Sequence, residues 1–264
     1  MLTLQQIEQQ YPESLRSFKR GMLREYLQYK ILEIIFNSAY ATKLSFLGGT
    51  ALRLIYNNSR FSEDLDFDNF ELTDNEFEAL AKKVQAGLEA QGLKVEMNTA
   101  GKMAFRCNIR LPEILFVNDL SPHPGEKILI QIDSFAQGFT YTPEKKILNK
   151  FDVFSEIFVT PAPLILSQKI YAALNRKRLQ GRDFYDIVFL SSLAKPDFGY
   201  LKEKLGVGSQ EALKDRLLAQ AKEIDWPKLT REVEPFLFES KDSRKIEMFV
   251  EFIKQVDWDP RSII

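Results

Sequence analysis

Sulfur and imidazole are nearly absent from this chain. One cysteine, Cys107, and one histidine, His123, occur in 264 residues. An intramolecular disulfide, a Cys-based zinc site and a multi-His metal site are therefore all excluded. Glycine (12) and proline (11) are sparse, which excludes collagen-like and low-complexity chains. An excess of one charge is lacking too: 36 Lys and Arg stand against 37 Asp and Glu, a net charge of −1. Attraction for nucleic acid must then come from a local basic patch rather than from the whole molecule. No run approaches the roughly 18 uncharged apolar residues of a membrane span. The first residues, Met1-Leu2-Thr3-Leu4-Gln5-Gln6, show neither a basic nor an apolar leader region. The expectation is a soluble, cytoplasmic protein with no membrane contact. With 45% hydrophobic and 28% charged residues the composition is that of a globular chain, and at roughly 150 residues per domain its length suits one large or two ordinary domains.

Hydrophobic periodicity divides the chain in two. Residues 14–38 carry an amphipathic helical pattern through Leu15, Phe18, Met22, Tyr26, Tyr29 and Ile34. Leu44 to Leu47 reads as a short strand running into Gly48-Gly49-Thr50, after which a helix resumes over Ala51–Tyr56. Phe61–Asp68 alternates apolar and acidic residues, a strand with one acidic face. Residues 73–91 read as a helix capped at Thr73. Leu93–Met97 and Met103–Leu111 read as paired strands around Asn98–Gly101, and Lys127–Phe135 as another strand. Beyond a last strand near Ile157–Val159, Thr160-Pro161 opens a helix to about Leu174, with further helices near 182–193, 209–223 and 243–256. An α+β part over residues 1–158 is thus expected to precede a helical part over 159–264.

The chemistry concentrates in two places. Asp64 and Asp66, two apart on a strand, share a face about 6.5–7 Å apart. Such carboxylates repel unless a cation lies between them, and magnesium (or manganese) is the hard ion that prefers oxygen and exchanges water for phosphate. Two ions roughly 3.5–4 Å apart can activate an attacking oxygen and neutralise a leaving pyrophosphate. Taken singly, an alternating acidic strand is as well read as a solvated face. Gly48, Gly49 and Thr50 precede it between a strand and a helix, where free N–H groups and a hydroxyl suit a phosphate. By itself that segment reads as a tight turn. Together the two motifs form an ordered pair, phosphate cradle then metal ligands. Asp133, ending its alternating run, is the candidate third metal ligand, with Glu126 a weaker one and Gln131 a neutral contact on the Asp133 face. Ser62 precedes Asp64 by two and is a candidate nucleotide contact or a turn residue.

The second place is the helix after Pro161. Lys169 and Arg176, i and i+7, share a face fit for a triphosphate, or simply a solvated stripe. Gly181-Arg182-Asp183-Phe184-Tyr185-Asp186 then sets Asp183 and Asp186 one helical turn apart. These acids cap a helix, steady Lys169 or Arg176, or meet substrate; Asp183 is favoured for the site and Asp186 for the fold. Lys177, Arg178 and Arg182 are candidates for guiding nucleic acid.

The stretch Leu47-Gly48-Gly49-Thr50-Ala51-Leu52-Arg53-Leu54-Ile55-Tyr56 and, after it, Arg60-Phe61-Ser62-Glu63-Asp64-Leu65-Asp66-Phe67 resembles the first motif of the AbiEii/AbiGii nucleotidyltransferase toxins, and Lys169–Asp186 resembles their later motifs in order. These toxins belong to type IV toxin–antitoxin and abortive-infection systems. The resemblance spans roughly residues 40–190. It implies a polymerase-β-like nucleotidyltransferase fold with a mixed sheet and a helical domain completing the active site. It places Lys169 in that site. It further implies a nucleoside triphosphate as donor, RNA (plausibly the tRNA 3′ end) as acceptor, and an antitoxin of transcriptional-regulator type as partner. A protein or small-molecule acceptor, or a binding module without catalysis, are the alternative readings of the same residues.

Overall fold

The computed structural model describes residues 1–100, 104–260 and 262; Gly101 and Met103, expected in a turn and at a strand start, lie outside them. The chain forms two compact units, Met1–Asn57 with Phe61–Thr160, and Asn58–Arg60 with Pro161–Ile264.

In the first unit the order is α1 (Leu4–Glu8), α2 (Lys19–Phe36), β1 (Leu44–Leu47), α3 (Gly48–Leu54), β2 (Leu65–Asn69), α4 (Asp74–Glu89), β3 (Glu96–Ala100), β4 (Ala104–Leu111), α5 (Ile114–Val117), β5 (Ile128–Phe135), β6 (Glu144–Lys150) and β7 (Val153–Val159). The strands make one seven-stranded sheet in the order β3-β4-β5-β2-β1-β7-β6. It is mixed: β2 with β5 and β1 with β7 run parallel, and the other neighbours antiparallel. Along β4 and β5 every second residue is buried, Phe105, Cys107 and Ile109 on one strand and Ile128, Ile130 and Ile132 on the other. Arg106, Asn108, Gln131 and Asp133 alternate with them and face the opposite way. On the buried side, Phe77 of α4 stacks on Phe105 with ring centroids 5.0 Å apart. The start of α4 is locally encoded: Thr73 accepts from the Glu76 N–H while the Glu76 carboxylate accepts from the Thr73 N–H.

Boundaries move where tertiary contacts outweigh local pattern. The helical pattern over 14–38 narrows to α2, behind a 3-10 turn at Glu13–Leu15. The acidic strand begins only at Leu65, because the carbonyls of Ser62 and Glu63 accept from the buried Gln28 amide at 3.0 and 2.9 Å rather than from a neighbouring strand. Helix α3 starts at Gly48 itself instead of Ala51. Strand β6 escapes the sequence reading because it is an edge: Lys145, Lys146 and Lys150 interrupt its apolar rhythm, as charged edges commonly do.

The second unit is helical: α6 (Ala162–Asn175), α7 (Gly181–Leu190), α8 (Phe198–Leu205), α9 (Gln210–Ala221), α10 (Trp226–Val233), α11 (Arg244–Glu247) and α12 (Phe249–Gln255). Helices α8 and α10 were not expected, and the single helix expected over 243–256 is broken at Met248. Phe184, Trp226 and Phe249 form an aromatic knot with ring centroids 5.0 to 5.5 Å apart. Among the described residues no helix is long and apolar enough to cross a membrane.

Candidate active site

Strand β1 hands over to α3 at Gly48, and the cross-strand partner of Leu47 is Asp66. Gly48 has φ +78°, and a Cβ built there would sit 2.8 Å from Asp66 Cγ, with the carboxylate oxygen closer still. Glycine is thus required twice, for a left-handed backbone and for the space the carboxylate takes. Gly48→Ala is expected to displace Asp66 and lower turnover by about 100-fold, with unfolding free energy falling by roughly 1–3 kcal/mol. Turnover and urea unfolding measured side by side test this; wild-type turnover would show that Asp66 tolerates displacement.

Thr50 is fully buried, and its hydroxyl donates to the Asp64 backbone carbonyl. The hydroxyl that the sequence offers to a phosphate is engaged within the fold, where Thr50 ties down the segment that carries Asp64. Gly49 is buried in the first turn of α3. Three residues on from Thr50, Arg53 donates to Glu25 of α2 at 2.8 Å, and Lys150 and Tyr11 donate to the same carboxylate, each at 2.8 Å. Burial pushes the Glu25 carboxyl up, but Arg53 and Lys150 overcome it and hold the group below its ordinary value. The helix behind the glycine turn is anchored by that buried ionic knot. Ser62 is buried with its carbonyl committed to Gln28.

Strand β5 pairs beside β2, with Asp66 opposite Asp133 and Asp133 opposite Arg106 of β4. Leu47, Asp66, Asp133 and Arg106 therefore form one row across the sheet. Arg106 grips Asp133 with two bonds of 2.8 and 3.1 Å, and Gln131 donates to Asp133 at 2.7 Å. Asp133 foremost, with Asp64 and Asp66 adding to it, raises the pKa of the Arg106 guanidinium. This arginine supplies the positive charge that clustered carboxylates need. Sequence reasoning missed it, since a lone arginine on an alternating strand has no motif; its outward position in β4 was the available signal. Glu126 lies apart from the row, bonded to Arg20 at 2.6 Å.

Magnesium is the ion expected of the Asp64 and Asp66 carboxylates, and the donors can be tested against it. Among the described residues no three His, Cys, Asp or Glu side chains are gathered closely enough to hold a metal. Asp133 has its carboxylate engaged by Arg106 and Gln131, so the three-carboxylate set is not assembled. Asp64 and Asp66 still fit, because magnesium is commonly held by one or two carboxylates with water and substrate phosphate completing its shell.

In the second unit, Asp186 is fully buried and accepts from Asn58 at 3.0 Å and from Arg60 at 2.8 and 2.7 Å. Lys169 Nζ lies 2.9 Å from Asp186 and 3.1 Å from Asp183. Burial lowers the pKa of the Lys169 ammonium, but Asp186 and Asp183 outweigh it and keep the group charged. Lys169 is neutralised by two carboxylates, an arrangement that suits positioning. Arg176 is not part of α6 but its extended C-cap; it is 42% exposed and lies 3.0 Å from Asp183. Asn58 and Arg60 were not singled out from the sequence, although a buried arginine must find a carboxylate somewhere. Lys177, Arg178 and Arg182 do not converge on one partner: Arg178 is 3.7 Å from Glu232 and Arg182 lies over the Phe236 ring. Cys107 is inert, since burial pushes its thiol up to about 12.

A mixed sheet that seats a carboxylate on a glycine turn, next to a second carboxylate, is a setting suited to nucleotidyl transfer, in which a nucleotidyl group passes from a triphosphate to an acceptor. The chain belongs to the AbiEii family: the family model described as nucleotidyl transferase AbiEii toxin, type IV toxin–antitoxin system, matches residues 30–259. Two solved structures from Helicobacter pylori share the fold. JHP933 is 17% identical with a TM-score of 0.54, covering 89% of this chain and 91% of its own. A second chain, provisionally assigned as a nucleotidyltransferase, is likewise 17% identical with a TM-score of 0.54, covering 89% of this chain and 94% of its own. A search of curated proteins finds no match.

Proposed function

We propose that this enzyme is a metal-dependent toxin that transfers a nucleotide from a nucleoside triphosphate to RNA, with the tRNA 3′ end as acceptor. The observation that carries the reading is the Asp66 carboxylate pressed onto Gly48, with the neighbouring Asp64 segment pinned by Thr50. Asp64 and Asp66 would hold magnesium (or manganese), which supplies neutralisation of triphosphate charge. The backbone N–H groups of Gly48 and Gly49 receive a phosphate at the turn. The acceptor hydroxyl oxygen bonds to the α-phosphorus as the bond to the bridging oxygen breaks; the hydroxyl proton passes to water and pyrophosphate leaves. Asp133 keeps Arg106 beside the acidic pair, where its charge offsets their repulsion before substrate enters. Lys169, Asp183 and Asp186 order the second unit, and exposed Arg176, Lys177 and Arg178 offer cations to an RNA backbone. A type IV toxin implies an antitoxin partner; we extend this to an antitoxin of transcriptional-regulator type and to action in the cytoplasm, where triphosphates and tRNA are found.

The test is incorporation of each α-labelled nucleoside triphosphate into total RNA, with magnesium and with EDTA. Label is expected to enter one RNA class, and only with the free divalent ion. Nucleotide that binds while no RNA is labelled would overturn the RNA acceptor and favour a protein or small-molecule one.

A further inference from the structure

We infer that the outward face of β4 and β5 holds a nucleobase stacked on Phe135, beside the carboxylate pair; this rests on the nucleotidyl-transfer reading above. A cavity of about 330 Å³ opens there, lined by Ala100, Ala104, Arg106, Asp133 and Phe135 among others. Phe135 follows Asp133 by two residues along β5 and so shares its face. Asp133 is in turn the register neighbour of Asp66. One strand spacing and two residues of rise put Phe135 roughly 8 Å from Asp66, a span suited to the ribose that joins a base to its phosphate.

The ring is available. Phe135 is 52% exposed; its partner on β4 is Ala104, too small to cover it, and its partner on β2 is the buried Asp68, whose carboxylate accepts from the Gln137 N–H. The partner of Arg106 on β3 is Ala100, equally small. Both bonds from Arg106 run to Asp133, so a planar guanidinium held in place lines the same cavity, and guanidinium planes stack on aromatic faces as rings do. Two flat walls, small neighbours and a carboxylate already neutralised make a receptor for a purine or pyrimidine. Single exposed aromatics are common on protein surfaces; the cavity and the shared face with Asp66 distinguish this one. The base has two sources of the same chemistry, the incoming triphosphate and the terminal nucleotide of the acceptor.

Phe135→Ala and Phe135→Trp in the full chain test the pocket. Binding of non-transferable α,β-methylene triphosphates and of inorganic tripolyphosphate is measured by calorimetry, and the KM for RNA by labelling. If the base is the donor's, Phe135→Ala weakens the triphosphate analogues by about 5- to 100-fold, tripolyphosphate is unaffected, and Phe135→Trp retains affinity with its fluorescence quenched on binding. If the base is the acceptor's, analogue affinity is unchanged and the KM for RNA rises by a similar factor. Either result supports the pocket and names its occupant. Unchanged analogue affinity together with an unchanged KM, transfer being intact, overturns the pocket and leaves the transferase reading standing. A wild-type chain that binds no triphosphate and labels no RNA overturns both.

Discussion

Asp66→Asn is expected to lower nucleotide transfer by on the order of 10³-fold or more while leaving the protein at least as stable as before. The substitution keeps the volume that packs on Gly48 and removes only the charge. That charge lies in a row with Asp133 and near Asp64, where carboxylates repel one another and Arg106 feels all three of them. Taking one negative charge away relaxes the row, so the unfolding midpoint stays level or rises. On the proposed reading, transfer falls because the divalent cation that Asp66 would hold loses an oxygen ligand. Single-turnover labelling and thermal unfolding of the same preparation separate the two effects. A variant that retains a tenth of its activity would remove Asp66 from the metal site; one that loses activity and melts early would make the residue structural.

The largest stability effect belongs to Asp186. Asp186→Asn leaves Arg60, 1% exposed, and Lys169 facing a neutral amide in a dry interior. Breaking such a pair costs about 3–5 kcal/mol, which for a chain of this size lowers the unfolding midpoint by about 10 °C. Removing both charges with Arg60→Met and Asp186→Leu is expected to recover much of that loss, since a packed apolar pair carries no desolvation cost. An Asp186→Asn protein that melts with the wild type would show the cluster to be inert. The same residue sets an acid limit. Burial pushes the Asp186 carboxyl up, but Arg60 and Lys169 overcome it and bring it to about 2. A depressed carboxyl contributes stability that is complete above its unfolded value of about 3.9 and is lost as pH falls through its folded value. Wild-type stability should therefore decline from about pH 4 to pH 2, and Asp186→Asn should flatten that part of the profile.

Much of the first unit is legible locally. The capping box of Thr73 and Glu76 announces α4, and the alternation from Ile128 to Phe135 announces β5 and the face on which Asp133 lies. Gly48-Gly49-Thr50 and Asp64-Leu65-Asp66 stand out because a turn needing glycine and a two-residue carboxylate spacing are both local features. What Thr50 does with its hydroxyl is not local, since its acceptor is 14 residues away. The charged edge strand β6 carries too little apolar alternation to be read.

By itself the sequence determined the α+β order, the turn that admits a carboxylate, and the pair of acids beside it, because periodicity and backbone conformation are written within a few consecutive residues. Only the tertiary structure decided how the charges are paired. Arg106 reaches Asp133 across 27 residues, and Arg60 reaches Asp186 across 126. The physical reason is that a buried or clustered charge is tolerable only with its counter-charge in place, and strand register and helix packing, not neighbours in the chain, bring that partner to it.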